Sequence, residues 1–249
     1  MEMIFPKNDD LHFQTVKYRP LFLEDGSLDI ADMLMQFQNA CSLQIEKLNI
    51  GEEFKRINSV FYVLCRLKGY FLHKIQPGKS YTLVTYPMQA STLQMYRYMY
   101  LLDEEKKPVF YLITLWVLID QNTRRLKPTK VFQNKLRESL PDIDEVTPIS
   151  DERLVVIDYS EEELKEALHY QVSEDDLDTN GHMNNTKYMK VAQMVEKRND
   201  FKSFEINFEK ECFLTEKLTV YKKEEQGSSI IIGKKENETL SFVVKFTYS

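Results

Sequence analysis

Cysteine is scarce in this chain: three among 249 residues, Cys41, Cys65 and Cys212, far apart and odd in number. No CxxC pair or His-rich zinc spacing accompanies them, so the sequence offers neither a disulfide framework nor a metal site. No cofactor is expected. Long apolar runs are missing as well. The longest, FYLITLWVLI (Phe110–Ile119), falls well short of the roughly 18 residues a membrane span needs. The opening MEMIFPKNDD lacks the apolar core of a secretion signal, so a cytoplasmic location is the expectation. Positive charge is not in excess either. Lys and Arg total 33 against 39 for Asp and Glu, a formal net charge of −6. That balance argues against the basic footprint of a nucleic-acid binder. Of four histidines, His12, His73 and His169 read as structural, and only His182 lies inside a strongly polar motif.

What is present is enough apolar material for a sizeable core, with 43% hydrophobic and 29% charged residues. The length suits one large domain or two small ones. Strict alternation marks strands, most clearly at Leu240–Tyr248, and again in EINFE (Glu205–Glu209) and KLTVYK (Lys217–Lys222). In the first half, SVFYVLCRLKGYFLHKI and KSYTLVTYPM read as strands parted by the turn QPGK. LQMYRYMYLL and VFYLITLWVLID read as a second pair around DEEKKP. Two long helices interrupt this pattern. Asp29–Leu48 carries apolar residues at 30, 34, 37, 41, 45 and 48, and the segment from Asn185 repeats the scheme with Tyr188, Val191, Ala192 and Val195. A third helix is expected over YSEEELKEAL (159–168), where Ser160 and Glu163 have capping-box spacing.

The halves resemble each other. Aligning Gly26 with Gly181 sets EDGSLDIADML over TNGHMNNTKYM, and each long helix is then followed by strands. At the position of His182 the first copy has Ser27, so only the second copy looks equipped for chemistry. The fold expected is α+β, two tandem units of a long helix wrapped by an antiparallel sheet, joined into one sheet so that two edges disappear. The units are set at residues 1–137 and 161–249, with the polar, proline-bearing stretch 138–160 as linker.

The segment DLDTNGHMNNTKYM (Asp176–Met189) crowds hydrogen-bonding groups where a helix begins. Asp and Asn at such a place ordinarily serve as caps, and Asn184 or Asn185 is expected to be one. The same segment resembles the signature of the acyl-ACP thioesterases. INFEKECFLTEKLTVY, with Glu211 next to Cys212, matches a second block of that family, TLWVLIDQNTRRLKP a third, and VLCRLKGYFLHKIQPGKSYTLVTYP a fourth, in order from about Leu11 onward. The resemblance implies a double hotdog fold, release of fatty acids from acyl carrier protein, and catalytic roles for Asp178, Asn180, His182, Glu211 and Cys212.

Thioester hydrolysis needs an activated nucleophile, donors for a developing oxyanion and a proton for the leaving thiol. His182 is the group of the motif whose side chain ordinarily titrates near neutrality. Asp178 or Glu211 is placed to orient it, and the backbone N–H groups from Gly181 to Asn185 are expected to point toward an anion. Two mechanisms stand open. In one, Cys212 is the nucleophile, activated by His182 and steadied by Asn180. In the other, Asp178, His182 and Glu211 activate water, the reading favoured because hotdog hydrolases, as the resemblance implies, work without a covalent intermediate.

The resemblance also implies that the first half holds the acyl chain. Met33, Phe37 and Cys41 on its helix are the expected lining, with Asn184 and Asn185 at the substrate's reactive end. An acidic carrier protein needs a basic landing patch. The candidates are Arg124, Arg125, Lys127 and Lys130, and around the second helix Lys187, Lys190, Lys197 and Arg198. Hydrolysis of acyl-CoA, or a non-catalytic acyl- or carrier-binding module, are the alternatives. No nucleic-acid partner or membrane span is expected, and monomer and homodimer remain open.

Overall fold

The computed structural model describes residues 12–143, 150 and 152–249. Alternation does what the sequence suggests. In the final strand, Phe242, Val244 and Phe246 enter the main core, while Val243 joins Ile157, Ile230 and Ile232 on the opposite face. The elements in order are β1 (Gln14–Tyr18), α1 (Ile30–Lys47), α2 (Glu52–Asn58), β2 (Val60–Phe71), β3 (Tyr81–Pro87), β4 (Met95–Leu102), β5 (Pro108–Asp120), β6 (Leu126–Lys127), α3 (Lys130–Ser139), β7 (Lys165–Gln171), α4 (Asn185–Val195), β8 (Phe201–Phe208), β9 (Lys217–Glu225), β10 (Ser228–Lys235) and β11 (Leu240–Tyr248).

All strands join one antiparallel sheet in the order β1-β3-β4-β5-β2-β8-β11-β10-β9-β7, with β6 beside β5. The order is palindromic about the β2–β8 junction, so each strand of the first half except β6 has a counterpart in the second. That is the architecture of a double hotdog, as expected. The two long helices lie against the same face and touch each other. Their residues Met33, Leu34, Phe37, Tyr188, Met189 and Val191 share one core with Phe110, Phe204 and Phe242 from the strands.

The duplication is visible bond by bond. Before α1, the Leu23 N–H donates to the Ser27 carbonyl at 2.8 Å and the Gly26 N–H to the Leu23 carbonyl at 2.9 Å. Before α4, Asp178 donates to His182 at 2.7 Å and Gly181 to Asp178 at 3.0 Å. Gly26 (φ 80°) and Gly181 (φ 77°) both occupy the left-handed region, where glycine is free of strain. Asp29 and Asn184 then cap the helices.

Three departures from the sequence reading stand out. The helix expected over 159–168 is absent. Glu163 takes a left-handed conformation, which stops a helix, and Lys165–Gln171 is the edge strand β7. Leu168 and Tyr170 of that strand lean on the core at a period of two, so the capping-box spacing of Ser160 and Glu163 was misleading. Conversely, β1, α2 and α3 form where no element was expected. Lastly, Glu152–Ser160 runs along the outer face of the sheet: Leu154 packs with Val84, Tyr86 and Ile113, and Ile157 with Ile230 and Ile232. Residues 144–149 and 151 of the expected linker lie outside the described residues.

Candidate active site

The site is made by two turns that the fold presses together. The turn before α4 ends with the Met183 N–H donating to the Cys212 carbonyl at 2.8 Å, and a single bridge pairs His182 with Phe213. These contacts carry His182 to Glu211: Nδ1 stands 3.5 Å from the Glu211 carboxylate. That is longer than an ordinary charge-assisted hydrogen bond of roughly 2.7–2.9 Å, an approach that a bound substrate can tighten. Phe213 fixes the imidazole from its other side, ring edge to face at 4.9 Å. Both His182 and Glu211 reach solvent, with side chains 33% and 56% exposed. Nε2 of His182 has no protein partner among the described residues.

Asp178 has a different task. Its Oδ1 accepts the N–H of Asn180 at 2.8 Å and of His182 at 3.1 Å, closing the turn on itself. Asn180 is exposed, its amide at the limit of hydrogen bonding to Asp178, 3.5 Å. Of the two carboxylates, it is Glu211 that meets the ring.

Cys212 is fully buried. Its thiol contacts the Ser241 hydroxyl at 3.0 Å, and Ser241 in turn donates to the Lys210 carbonyl at 2.8 Å. Its own N–H donates to the Tyr188 hydroxyl at 3.0 Å. No hydrogen bond joins it to His182. Burial pushes the Cys212 thiol above its ordinary range, opposed by the hydroxyls of Ser241 and Tyr188 and by Lys235. These two hydroxyls tie down the residues on both sides of Glu211. Alternation and helical period gave Tyr188 and Ser241 only packing places. The signal was in the repeat, where their counterparts are the apolar Met33 and Val109.

The helix start is less open than the sequence suggested. The N–H groups of Gly181, His182, Met183 and Asn184 are already bound, to Asp178, Asp178, Cys212 and Asp176. Asn184 is the cap, its Oδ1 accepting from the Thr186 N–H and hydroxyl, both at 3.0 Å. Asn185 remains: neither its N–H nor its side chain has a partner among the described residues. Behind the cap, the buried Asp176 accepts from Tyr170 and Ser173 and lies 3.9 Å from Lys187.

Met33, Phe37 and Cys41 are buried on α1, Phe37 beside Phe110 and Cys41 3.6 Å from the Thr85 hydroxyl. A cavity of roughly 430 Å³ opens elsewhere, beside Ser27, Phe71 and Phe201, the first-half counterpart of the His182 turn. Among the basic candidates, Arg125 and Lys190 are exposed, and Arg124 lies over the Phe61 ring. Lys127 is engaged with the Asn58 carbonyl at 2.7 Å and with Asp120 at 3.3 Å. Lys197 donates to Met194, and Arg198 pairs with Asp200.

Residues 159–246, which carry both turns, match the family model of the acyl-ACP thioesterase C-terminal domain. No curated protein matches the chain. Among solved structures, an acyl-ACP thioesterase from Bacteroides thetaiotaomicron is similar over 96% of this chain and 98% of its own, at 17% identity and a TM-score of 0.83. A 12:0-ACP thioesterase from Umbellularia californica is similar over 98% and 99%, at 16% identity and a TM-score of 0.75. No helix among the described residues is long and apolar enough to cross a membrane.

Proposed function

We propose that the chain is an acyl-ACP thioesterase, as the match of residues 159–246 to their C-terminal domain supports, and that it cleaves the thioester between a fatty acyl group and the phosphopantetheine arm of acyl carrier protein. The observation that carries this reading is the approach of Glu211 to His182 at 3.5 Å beside the unpartnered Asn185 N–H. Glu211 steadies the imidazole through Nδ1, and Nε2 takes a proton from water as it attacks the thioester carbonyl. The oxyanion is met by the Asn185 N–H at the positive end of α4. Collapse of the adduct expels the thiolate, which takes the proton from His182. Asp178 acts on this chemistry by holding the turn, and Asn180 stands at its rim.

Direct attack by water is favoured over a Cys212 nucleophile. The thiol is buried, burial opposes its ionisation, and its hydrogen bond is spent on Ser241. Substrate contacts follow: Asn185 at the carbonyl, Asn184 as the cap that places it, and the Met33–Phe37–Cys41 face of α1 toward the acyl chain. Residues 1–137 then form the acyl-binding half and 161–249 the catalytic half. Arg124, Arg125 and Lys190 are the basic groups offered to an acidic carrier protein. A monomer suffices, since the halves already pair with each other, and three free thiols suit a reducing cytoplasm.

The test is release of free thiol from fatty acyl-carrier protein across a ladder of chain lengths, against the matching acyl-CoA. Faster turnover of the carrier-bound substrate, lost in His182→Ala, supports the reading. Equal or faster turnover of acyl-CoA removes the carrier from it.

A further inference from the structure

The two helix starts differ in one respect that the shared backbone does not explain. At the start of α1, the side chain of Gln193, reaching over from α4, closes the helix end. Its Oε1 accepts from the N–H groups of Ile30 at 3.0 Å and Ala31 at 3.2 Å, and its Nε2 donates to the Leu28 carbonyl at 2.8 Å. In the register that sets Gly26 over Gly181 and Asp29 over Asn184, the counterpart of Ile30 is Asn185, and the counterpart of Gln193 is Gln38 on α1. The palindromic strand order relates the halves by an approximate twofold. Applied to Gln193, the same operation assigns Gln38 to the start of α4.

The bonds, however, are not repeated there. The Gln38 carboxamide, half-buried, makes no hydrogen bond among the described residues, and neither does the Asn185 N–H. The half that lacks the imidazole has its helix end plugged by a glutamine. The half that carries His182 and Glu211 keeps the same glutamine and the same amide, both unbound. A structural role alone would give the same plug in both.

We propose that Gln38, supplied by the first half, is a second oxyanion donor of the catalytic site, its Nε2–H₂ facing the thioester oxygen together with the Asn185 N–H. This rests on the His182 reading above. The position at the start of α4 that corresponds to the Gln193 carboxamide is assigned to the thioester carbonyl. Two donors from two elements on the two halves fix the oxygen against the water held by His182, and each becomes stronger as negative charge develops on the oxygen. The arrangement also explains why one hotdog unit cannot act alone: the acid–base pair comes from one half and one donor from the other.

Gln38→Met, close in size and without donors, is compared with Gln193→Met, Gln38→Glu and His182→Ala on one fatty acyl-carrier protein. The expected result for Gln38→Met is a kcat lower by about 100-fold, with KM within about threefold and the thermal midpoint near that of the wild type. Gln193→Met shows the reverse, kcat within about twofold and a lowered midpoint, because α1 loses its plug. Gln38→Glu is no better than Gln38→Met, since a carboxylate has no N–H to offer. Gln38→Met with kcat within threefold of wild type, or with kcat and midpoint falling together as in an unfolding variant, overturns the proposal. So does full activity in Gln38→Glu. Wild-type turnover in His182→Ala overturns the catalytic reading itself, whatever Gln38 does.

Discussion

At the scale of single residues, the site is a contrast between a group that meets water and one that does not. His182 reaches solvent beside Glu211, whereas Cys212 is sealed with its thiol on Ser241. Cys212→Ala is therefore expected to keep turnover within about tenfold of the wild type while losing about 1–3 kcal/mol of stability, from the abandoned Ser241 hydroxyl and the small void. Kinetics and a denaturant midpoint on the same preparation check both halves of this. Turnover falling to background, with an acyl-enzyme trapped in the wild type, contradicts it. A second buried group acts on stability alone. Glu196, whose side chain is 0% exposed, accepts from Ser229, Tyr248 and Lys222. Burial opposes its ionisation, yet bonds from Ser229, the Arg198 amide, Tyr248 and Lys222 outweigh it, so its carboxyl lies below the ordinary range. A depressed folded-state value means stability that is present above the unfolded value, about pH 4.3, and lost as pH falls through the folded one. Glu196→Gln should lower stability at neutral pH by about 3 kcal/mol and make it fall less steeply between roughly pH 5 and 3. Parallel acid-unfolding curves for the two proteins would contradict this.

At the scale of elements, the helix α4 is defined by its cap. Asn184 accepts from Thr186, and its own N–H donates to the Asp176 carbonyl at 2.8 Å, so the cap is anchored on both sides. Asn184→Ala is expected to cost about 1 kcal/mol of stability and to lower kcat by displacing the Asn185 amide. A thermal melt and a rate measurement suffice, and unchanged kcat would detach Asn185 from the chemistry. Elements of this kind were legible in the sequence because their signals are strong: a cap expected at Asn184 or Asn185, the glycines at 26 and 181, and apolar residues at helical spacing. The helix expected over 159–168 was not a helix because β9 offered that segment an edge, with Leu168 and Tyr170 packing at a period of two. A capping-box spacing cannot outweigh a sheet edge that is absent from the local sequence. β1, a short strand beside β3, was hidden for the same reason. That Asp178, His182 and Glu211 lie in two polar turns was legible in advance, but that Glu211 rather than Asp178 meets the imidazole was not. It depends on how the β8–β9 connection folds back onto the α4 turn, a contact between residues far apart in sequence.

At the scale of the whole molecule, the junction of β2 and β8 turns two repeats into one body. Gly69 lies there, paired with Phe204, and a Cβ at that position would come within 2.5 Å of the Phe204 ring and 2.7 Å of the Phe110 ring. Those rings are nearly parallel, with centroids 5.9 Å apart, across the seam. Gly69→Ala is expected to destabilise by about 1–3 kcal/mol through overpacking, read in a urea titration, and no change would show that the seam yields. On the outer face, Lys68 of β2 joins Glu205 of β8 at 3.1 Å and Glu152 of the connecting segment at 2.8 Å, so the connection itself braces the seam. The duplication and the double hotdog were readable in advance because each repeat carries its own glycine, cap and helix. The palindromic pairing belongs to the assembled sheet.

The central claim is that His182, held by Glu211, drives hydrolysis of a fatty acyl thioester on acyl carrier protein. The most direct measurement is thiol release from one such substrate by the wild type and by His182→Ala at saturating concentration. A fall of at least about 100-fold, with the variant still folded, is the result predicted. A folded His182→Ala variant that turns over like the wild type, or a wild type that releases no thiol at any chain length, would contradict it.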